Sequence, residues 1–427
     1  VASYKVLQIR GSSTTNGGLI RLETSDGTSG VARLYAGSGS AVLETTTATP
    51  LTLRTSSTDR LTIDAAGTTT VTGGFEAAQP GSGVYAFAAG TGAGANSQGN
   101  YGIAIGLNAG AGNVDDSAKG QGDNSVAIGN RAGNETQGST AIAVGYYAGQ
   151  SSQGINSVSI GRESGQTGQG GQSVAVGYSA GNTSQGNYST AIGHVAGQTS
   201  QGAYCVAVGR AAGNTSQGTD AVAVGRNSGN ANQGSNSIAI GLNAGAGDAS
   251  DPAKGQGSSA VAVGRDAGNN GQGTGSIAVG PYSASPPQGA SAVAVGYAAG
   301  NATQGDYAVA MGRDAGKTNQ AANAVAIGRV AGQVSQGGSA VAIGINAGQS
   351  GQGTSSIAIG NAAGLSNQGD NGIIISSSGM SNNATNANHI YLTSGTNKFL
   401  YYDGSTSWAF AGGDVVVPND DLLVGTT

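Results

Sequence analysis

The sequence predicts an all-β chain: a parallel β-roll, or β-solenoid, of 16-residue coils, assembled as an elongated homotrimeric fibre. Three observations carry this expectation. Gly makes up 80 of 427 residues, with only seven Pro and no Gly-every-third register, so the composition is not collagen's. Gly follows a Val/Ile-Ala-Val/Ile triplet at Gly129, Gly145, Gly161, Gly177, Gly193, Gly209, Gly225 and Gly241, then from Gly264 to Gly360, each step being 16 residues. Finally, 37 % of the residues are apolar and they recur at fixed places, which separates the chain from Gly-rich disorder.

Three regions succeed one another along the chain. Residues 1–83 carry short alternating segments between Gly, Ser and Thr: Leu19-Ile20-Arg21-Leu22, Ala41-Val42-Leu43, Leu51-Thr52-Leu53 and Leu61-Thr62-Ile63. These read as a β-rich shaft. Residues 84–375 hold about 17 copies of the repeat, with Gly90 and Gly106 as its first members. Residues 376–427 read as an aromatic-rich cap or connector, where Tyr391, Phe399, Tyr401, Tyr402, Trp408 and Phe410 crowd together.

Within a unit, with the post-triplet Gly counted as zero, position 3 is usually Ala, 4 is Gly, 8 is Gln and 9 is Gly. Sixteen residues are too few for a helical hairpin, and three glycines per unit oppose helix. The triplet has period two, which is a strand, and the glycines supply turns. A strand and turns repeated without helix make one coil of a solenoid. Two steps, Gly106 to Gly129 and Gly241 to Gly264, are 23 residues long. Their seven-residue insertions lie in similar stretches, AGNVDDSAKGQG from Ala111 and AGDASDPAKGQG from Ala246.

Period two places both aliphatics of a triplet on one face and the central Ala on the other. The expectation is that the aliphatics, such as Val222 and Val224, fill the interior. The alanines, such as Ala175, Ala207, Ala223 and Ala239, would then form a smooth outer seam against two other copies. Gln at position 8, including Gln137, Gln153, Gln185, Gln201, Gln217 and Gln233, reads as a stacked amide ladder. Position 1 carries Tyr146, Arg162, Tyr178, His194, Arg210, Arg226, Arg265, Tyr297, Arg313 and Arg329. It reads as a solvated edge, or as a strip that contacts anionic polysaccharide through Arg210, Arg226, Arg313 and Arg329. Tyr391, Tyr401 and Trp408 are the aromatic counterparts, either knitting a cap or offering a platform to sugar rings.

The strings Asn124-Ser125-Val126-Ala127-Ile128-Gly129 and Asn236-Ser237-Ile238-Ala239-Ile240-Gly241 resemble the head repeat of YadA-type trimeric autotransporter adhesins. That resemblance implies a trimeric left-handed parallel β-roll, although the family's unit is usually near fourteen residues. The same repeat is similar to those in bacteriophage tail fibres. Residues 1–83 are similar to the β-rich shafts of such fibres, and Asp421–Thr427 resembles the segment that precedes a self-cleaving chaperone in many of them. The resemblance therefore implies a structural fibre on a virion surface, bound to other tail components and to a host-surface glycan or protein receptor. A trimeric adhesin on a bacterial surface is the alternative, and a polysaccharide depolymerase stands third.

Other classes are disfavoured by the residues. One Cys and two His leave little for a disulfide framework or a His/Cys metal site. Only 9 % of residues are charged and the formal net charge is −5, which does not suit an electrostatic nucleic-acid binder. No apolar run approaches the ~18 residues of a membrane span. The chain opens on Val1 and reads as a mature or trimmed piece of something longer. Glu163, Asp266 and Asp314 share position 2, but the last two lie three coils apart, about 14 Å, wider than a glycosidase pair. No catalytic residue, cofactor or metal site is expected. Asp115/Asp116 and Asp248/Asp251 offer oxygens for calcium but too few ligands, and Asp116–Lys119 and Asp251–Lys254 read as local ion pairs.

Overall fold

The computed structural model describes residues 84–112, 120–248, 250–285, 287–376 and 387–393, with Pro252 by backbone alone, and elsewhere the backbone of individual strands. Two compact units emerge, Val1–Ala78 and Gln79–Thr427. In the first, Leu19–Leu22, Ala32–Gly37 and Ser40–Thr45 form one antiparallel three-stranded sheet. Leu51–Thr55, Thr58–Ile63 and Thr69–Val71 form another.

The second unit is a parallel β-solenoid of about 18 turns. Each triplet is a three-residue strand paired in parallel, in register, with the triplet before and after it: Val206, Ala207 and Val208 pair with Val222, Ala223 and Val224. At the ~4.8 Å spacing of paired strands the stack is about 80 Å long. A second column of strands forms the opposite wall and ends on the Gln of each unit, as in Thr199–Gln201 and Thr215–Gln217.

Between the walls the solenoid inverts the expected arrangement. The central alanines point inward: Ala207, Ala223, Ala239 and Ala262 are completely buried, as are the position-3 alanines Ala180, Ala196 and Ala212. The flanking Val and Ile point outward, and Ile160, Ile192 and Ile240 remain 40 % exposed. The expectation of an aliphatic interior with an outer alanine seam is therefore wrong. The reason is width. A Cβ added to Gly213 would stand 3.3 Å from the Ala207 Cβ and 2.6 Å from Gln217 Oε1. An interior already filled by methyls and one amide has no room for Val. Alanine runs make the core, interrupted where Ser159 and Ser228 replace Ala, and closed by Ile374 at the C-terminal end.

Gly at position zero has a separate cause. Gly225 has φ +123, and a Cβ there would meet the Gly241 carbonyl oxygen at 2.6 Å. Only a residue without Cβ lets successive coils close to hydrogen-bonding distance at that corner. Position-4 glycines such as Gly213 are also left-handed, and further corners are made by non-glycine residues in that region, among them Tyr204, Ala211 and Asp220 of neighbouring turns. The last solenoid strand, Ile373–Ser376, pairs in parallel with Ile390–Ser394. That strand pairs antiparallel with Asn397–Tyr402, which in turn pairs with Trp408–Ala409. The parallel stack thus gives way to an antiparallel meander, which no longer offers a coil-shaped template.

Candidate contact surface

The inner Gln column is a hydrogen-bonded ladder. Gln217 Nε2 donates to the carbonyls of Val206 and Ala221, both at 3.1 Å, and Gln201 Nε2 donates to Gln217 Oε1 at 3.1 Å. Gln185 links on to Gln201, and Gln233 on to Gln256. Gln137 and Gln153 bond backbone carbonyls, but their Oε1 atoms accept no hydrogen bond. All seven of these amides are buried, so this column stabilises the coil and is out of reach of a ligand.

A second amide column went unnoticed in the sequence. Position-5 residues such as Asn182 and Asn214 donate to the carbonyl of the left-handed corner one coil back, Glu163 and Val195 respectively, at 2.9 Å. The same Nδ2 groups also donate to the Oε1 atoms of Gln166 and Gln198, at 3.0 Å. The signal was present as Asn or Gln recurring at that offset.

The position-1 column lies on an outer corner immediately after the strand. Arg162 lies over the rings of Tyr146 and Tyr178, 5.6 and 5.5 Å from their centroids, and Tyr178 stacks on His194 at 5.1 Å. At position 2 beside it, Arg131 stands 5.6 Å over Tyr147, and Arg265 of position 1 stands 4.5 Å over Tyr282 of position 2. The arginines divide according to the residue at position 2. Where it is acidic the guanidinium is paired: Arg162 with Glu163 at 3.0 Å, Arg265 with Asp266 at 3.8 Å, and Arg313 with Asp314 at 3.0 Å. Lys317 reaches Asp314 as well, at 3.0 Å. Burial pushes the Asp314 carboxyl up, but the hydrogen bonds from Lys317 and Arg313 outweigh it and hold the group below the ordinary carboxylate range. Where position 2 is Ala211, Asn227 or Val330, the preceding Arg210, Arg226 and Arg329 make no ion pair.

A matching column on the other flank of the strand, five residues before the Gly, was also overlooked. It holds Tyr85, Tyr101, Tyr188, Tyr204 and Tyr307, each more than half exposed. Tyr188 and Tyr204 stack with centroids 5.0 Å apart and planes 2° from parallel. The 16-residue spacing of these tyrosines was the available signal.

The remaining expected residues separate. Tyr391 is half-buried against the end of the alanine core, 5.3 Å from the ring of the buried His389. Tyr401 and Trp408 sit on the terminal strands, but their side chains lie outside the described residues, as do Asp115, Asp116 and Lys119. At the second insertion Lys254 pairs with Asp251 at 3.5 Å and approaches Asp248 at 4.0 Å. Hydrogen bonds from the Ser250 hydroxyl and amide hold the Asp248 carboxyl below its usual range. Among the described residues no group of three or more His, Cys, Asp or Glu is disposed to hold a metal ion. Comparison with family models, curated proteins and solved structures finds no match to this chain.

Proposed function

We propose that the chain is a non-enzymatic structural fibre of a virion, a phage tail fibre or similar appendage, built as a homotrimer that extends from the particle and attaches it to the host surface. The observation that carries this reading is the outward Val/Ile stripe. It runs along the whole stack on the single face where every strand is in register, and it leaves large aliphatics exposed to water on coil after coil. Contiguous apolar surface of that extent needs a partner. The partner must repeat at the same ~4.8 Å pitch. Further copies of the chain meet that demand by construction.

The mechanism is geometric. Continuous parallel hydrogen bonding and two amide columns stiffen the rod. Outer turns at Arg313 and Arg329, and the terminal strands bearing Tyr401 and Trp408, present host contacts three at a time, so that weak sites add by avidity. The position-2 carboxylates are held by neighbouring cations, which favours a structural over a hydrolytic use. The Asn-Ser-Val-Ala-Ile-Gly units suit a bacterial surface adhesin equally well. An outer-membrane barrel encoded downstream in the complete gene would favour that alternative.

The test is mass and its dependence on the stripe. Sedimentation of the 40.9 kDa chain should give three chains per particle. Val222→Asp with Val224→Asp should lower assembly while circular dichroism stays that of β-structure. A single-chain mass for the unaltered protein overturns the proposal.

A further inference from the structure

Among the described residues, four charged side chains make neither an ion pair nor a side-chain hydrogen bond: Arg210, Asp220, Arg226 and Arg329. Three of them fall on consecutive coils and alternate in sign. Arg210 and Arg226 follow their strands, and Asp220 precedes the strand that Arg226 follows. All three are exposed. In one chain Asp220 and Arg226 stand on opposite flanks of the Val/Ile stripe, and they form no ion pair with each other.

The two flanks differ chemically along their length. The column before the strand holds Tyr, Asn, Ser, Thr, Gln, Gly and Asp220, with no Lys or Arg. The column after it holds six arginines and no acid. Copies packed antiparallel through the stripe would set arginine edge against arginine edge. Copies related by a rotation axis parallel to the stack set the edge after one strand against the edge before the next copy's strand. Such an axis keeps equivalent residues at equal height. The six residue steps from one column to the other climb only about 2 Å of the ~4.8 Å coil pitch. Arg226 therefore faces the next copy's Asp220, and Arg210 lies level with that copy's exposed Tyr204 ring.

We propose that Asp220 and Arg226 pair between subunits, with Arg210 against Tyr204, and that this charged step fixes the register of the three chains. The proposal rests on the trimeric reading above, and it removes Arg210 and Arg226 from the candidates for host contact. A device of this kind is needed because the aliphatic stripe is nearly identical from coil to coil. A slip of one coil barely changes apolar burial. The same slip sets Arg226 against Asn236 or Tyr204 in place of the acid.

The experiment is a double-mutant cycle on the full chain, reading thermal melting and sedimentation mass. Asp220→Asn uses a residue already present in this column at Asn124, Asn156 and Asn236, which limits damage to the coil. Asp220→Asn and Arg226→Gln should each lower the melting temperature of the assembly by a few degrees. The double variant should fall no further than either single. As a second reading, Asp220→Cys with Arg226→Cys, in a Cys205→Ser background, should give a covalent three-chain band with a short bismaleimide, whereas either cysteine alone should not. A three-chain mass with additive or absent melting effects and no covalent trimer overturns the pairing and leaves the trimer standing. A one-chain mass overturns both.

Discussion

The two faces of one three-residue strand are made of similar residues and do different work. Inward, Ala207 meets Ala191, Ala223 and the glutamine wall, in a space a methyl fills. Outward, Val206 and Val208 are half-exposed and have no neighbour across from them in their own chain. Burial of large aliphatics ordinarily drives folding, at ~1.5–3 kcal/mol apiece. Here up to about 40 % of each outward side chain stays in water after the coil has formed. The fold is held by close packing of small groups, parallel backbone hydrogen bonds and buried amides, and the apolar driving force remains available for association.

The sharpest way to break this contrast is to enlarge the inner face. Ala207→Leu must push three further carbons into the space in front of Gly213 and Gln217. The expected cost is about 3 kcal/mol or more, at the upper end for an overpacked core. Thermal melting should drop by roughly six to twelve degrees, or the soluble product should be lost. Val208→Ala, one residue away on the outer face, should cost the isolated chain only about 1 kcal/mol, since its side chain keeps one side in water and leaves no enclosed cavity. Equal effects would mean that the inner and outer faces are wrongly distinguished.

The glutamine wall sharpens the contrast further, because its members are identical in sequence and unequal in bonding. Gln336 donates to the carbonyls of Val325 and Ala340 and to Gln352 Oε1, and it accepts from Gln320. Gln137 makes only the two bonds to Val126 and Ala141. At about 1 kcal/mol for each net hydrogen bond, Gln336→Leu should destabilise by roughly twice as much as Gln137→Leu. Chemical denaturation of the two variants checks the ratio, and equal losses would show that the amide-to-amide links carry no weight.

These particulars explain what could be read from the sequence. The period, the strand positions, the glycine corners and the Gln column are all legible from spacing, because each is a constraint local to one coil. Which face turns inward is not. Period two states only that neighbours oppose, and the usual preference for burying Val over Ala points the wrong way. The deciding information lies across the coil, in Gly213 and Gln217, whose proximity to Ala207 exists only after folding. The arginine column was legible from its residue types. Its tyrosine counterpart is marked only by the 16-residue spacing of pairs such as Tyr188 and Tyr204, a faint signal because Asn and Ser also stand at these left-handed corners and such a mixture reads as an ordinary turn.

The smallest effect belongs to Cys205, which sits inward beside the strand, 1 % exposed. Its Sγ donates to the Gly218 carbonyl at 2.8 Å. One coil back, Ser189 Oγ makes the equivalent bond to Gly202 at 2.7 Å. Burial pushes the Cys205 thiol up, so it stays protonated at neutral pH and is a poor nucleophile. Cys205→Ser should therefore shift stability by less than about 0.5 kcal/mol, exchanging one hydroxyl-sized donor for another at a place the fold already accepts it. Alkylation of the native thiol should be slow at neutral pH and should quicken only above the usual thiol range or on unfolding. Rapid labelling of folded protein at neutral pH would mean that the corner beside Gly218 opens, and that the inner face is less tightly closed than its alanines require.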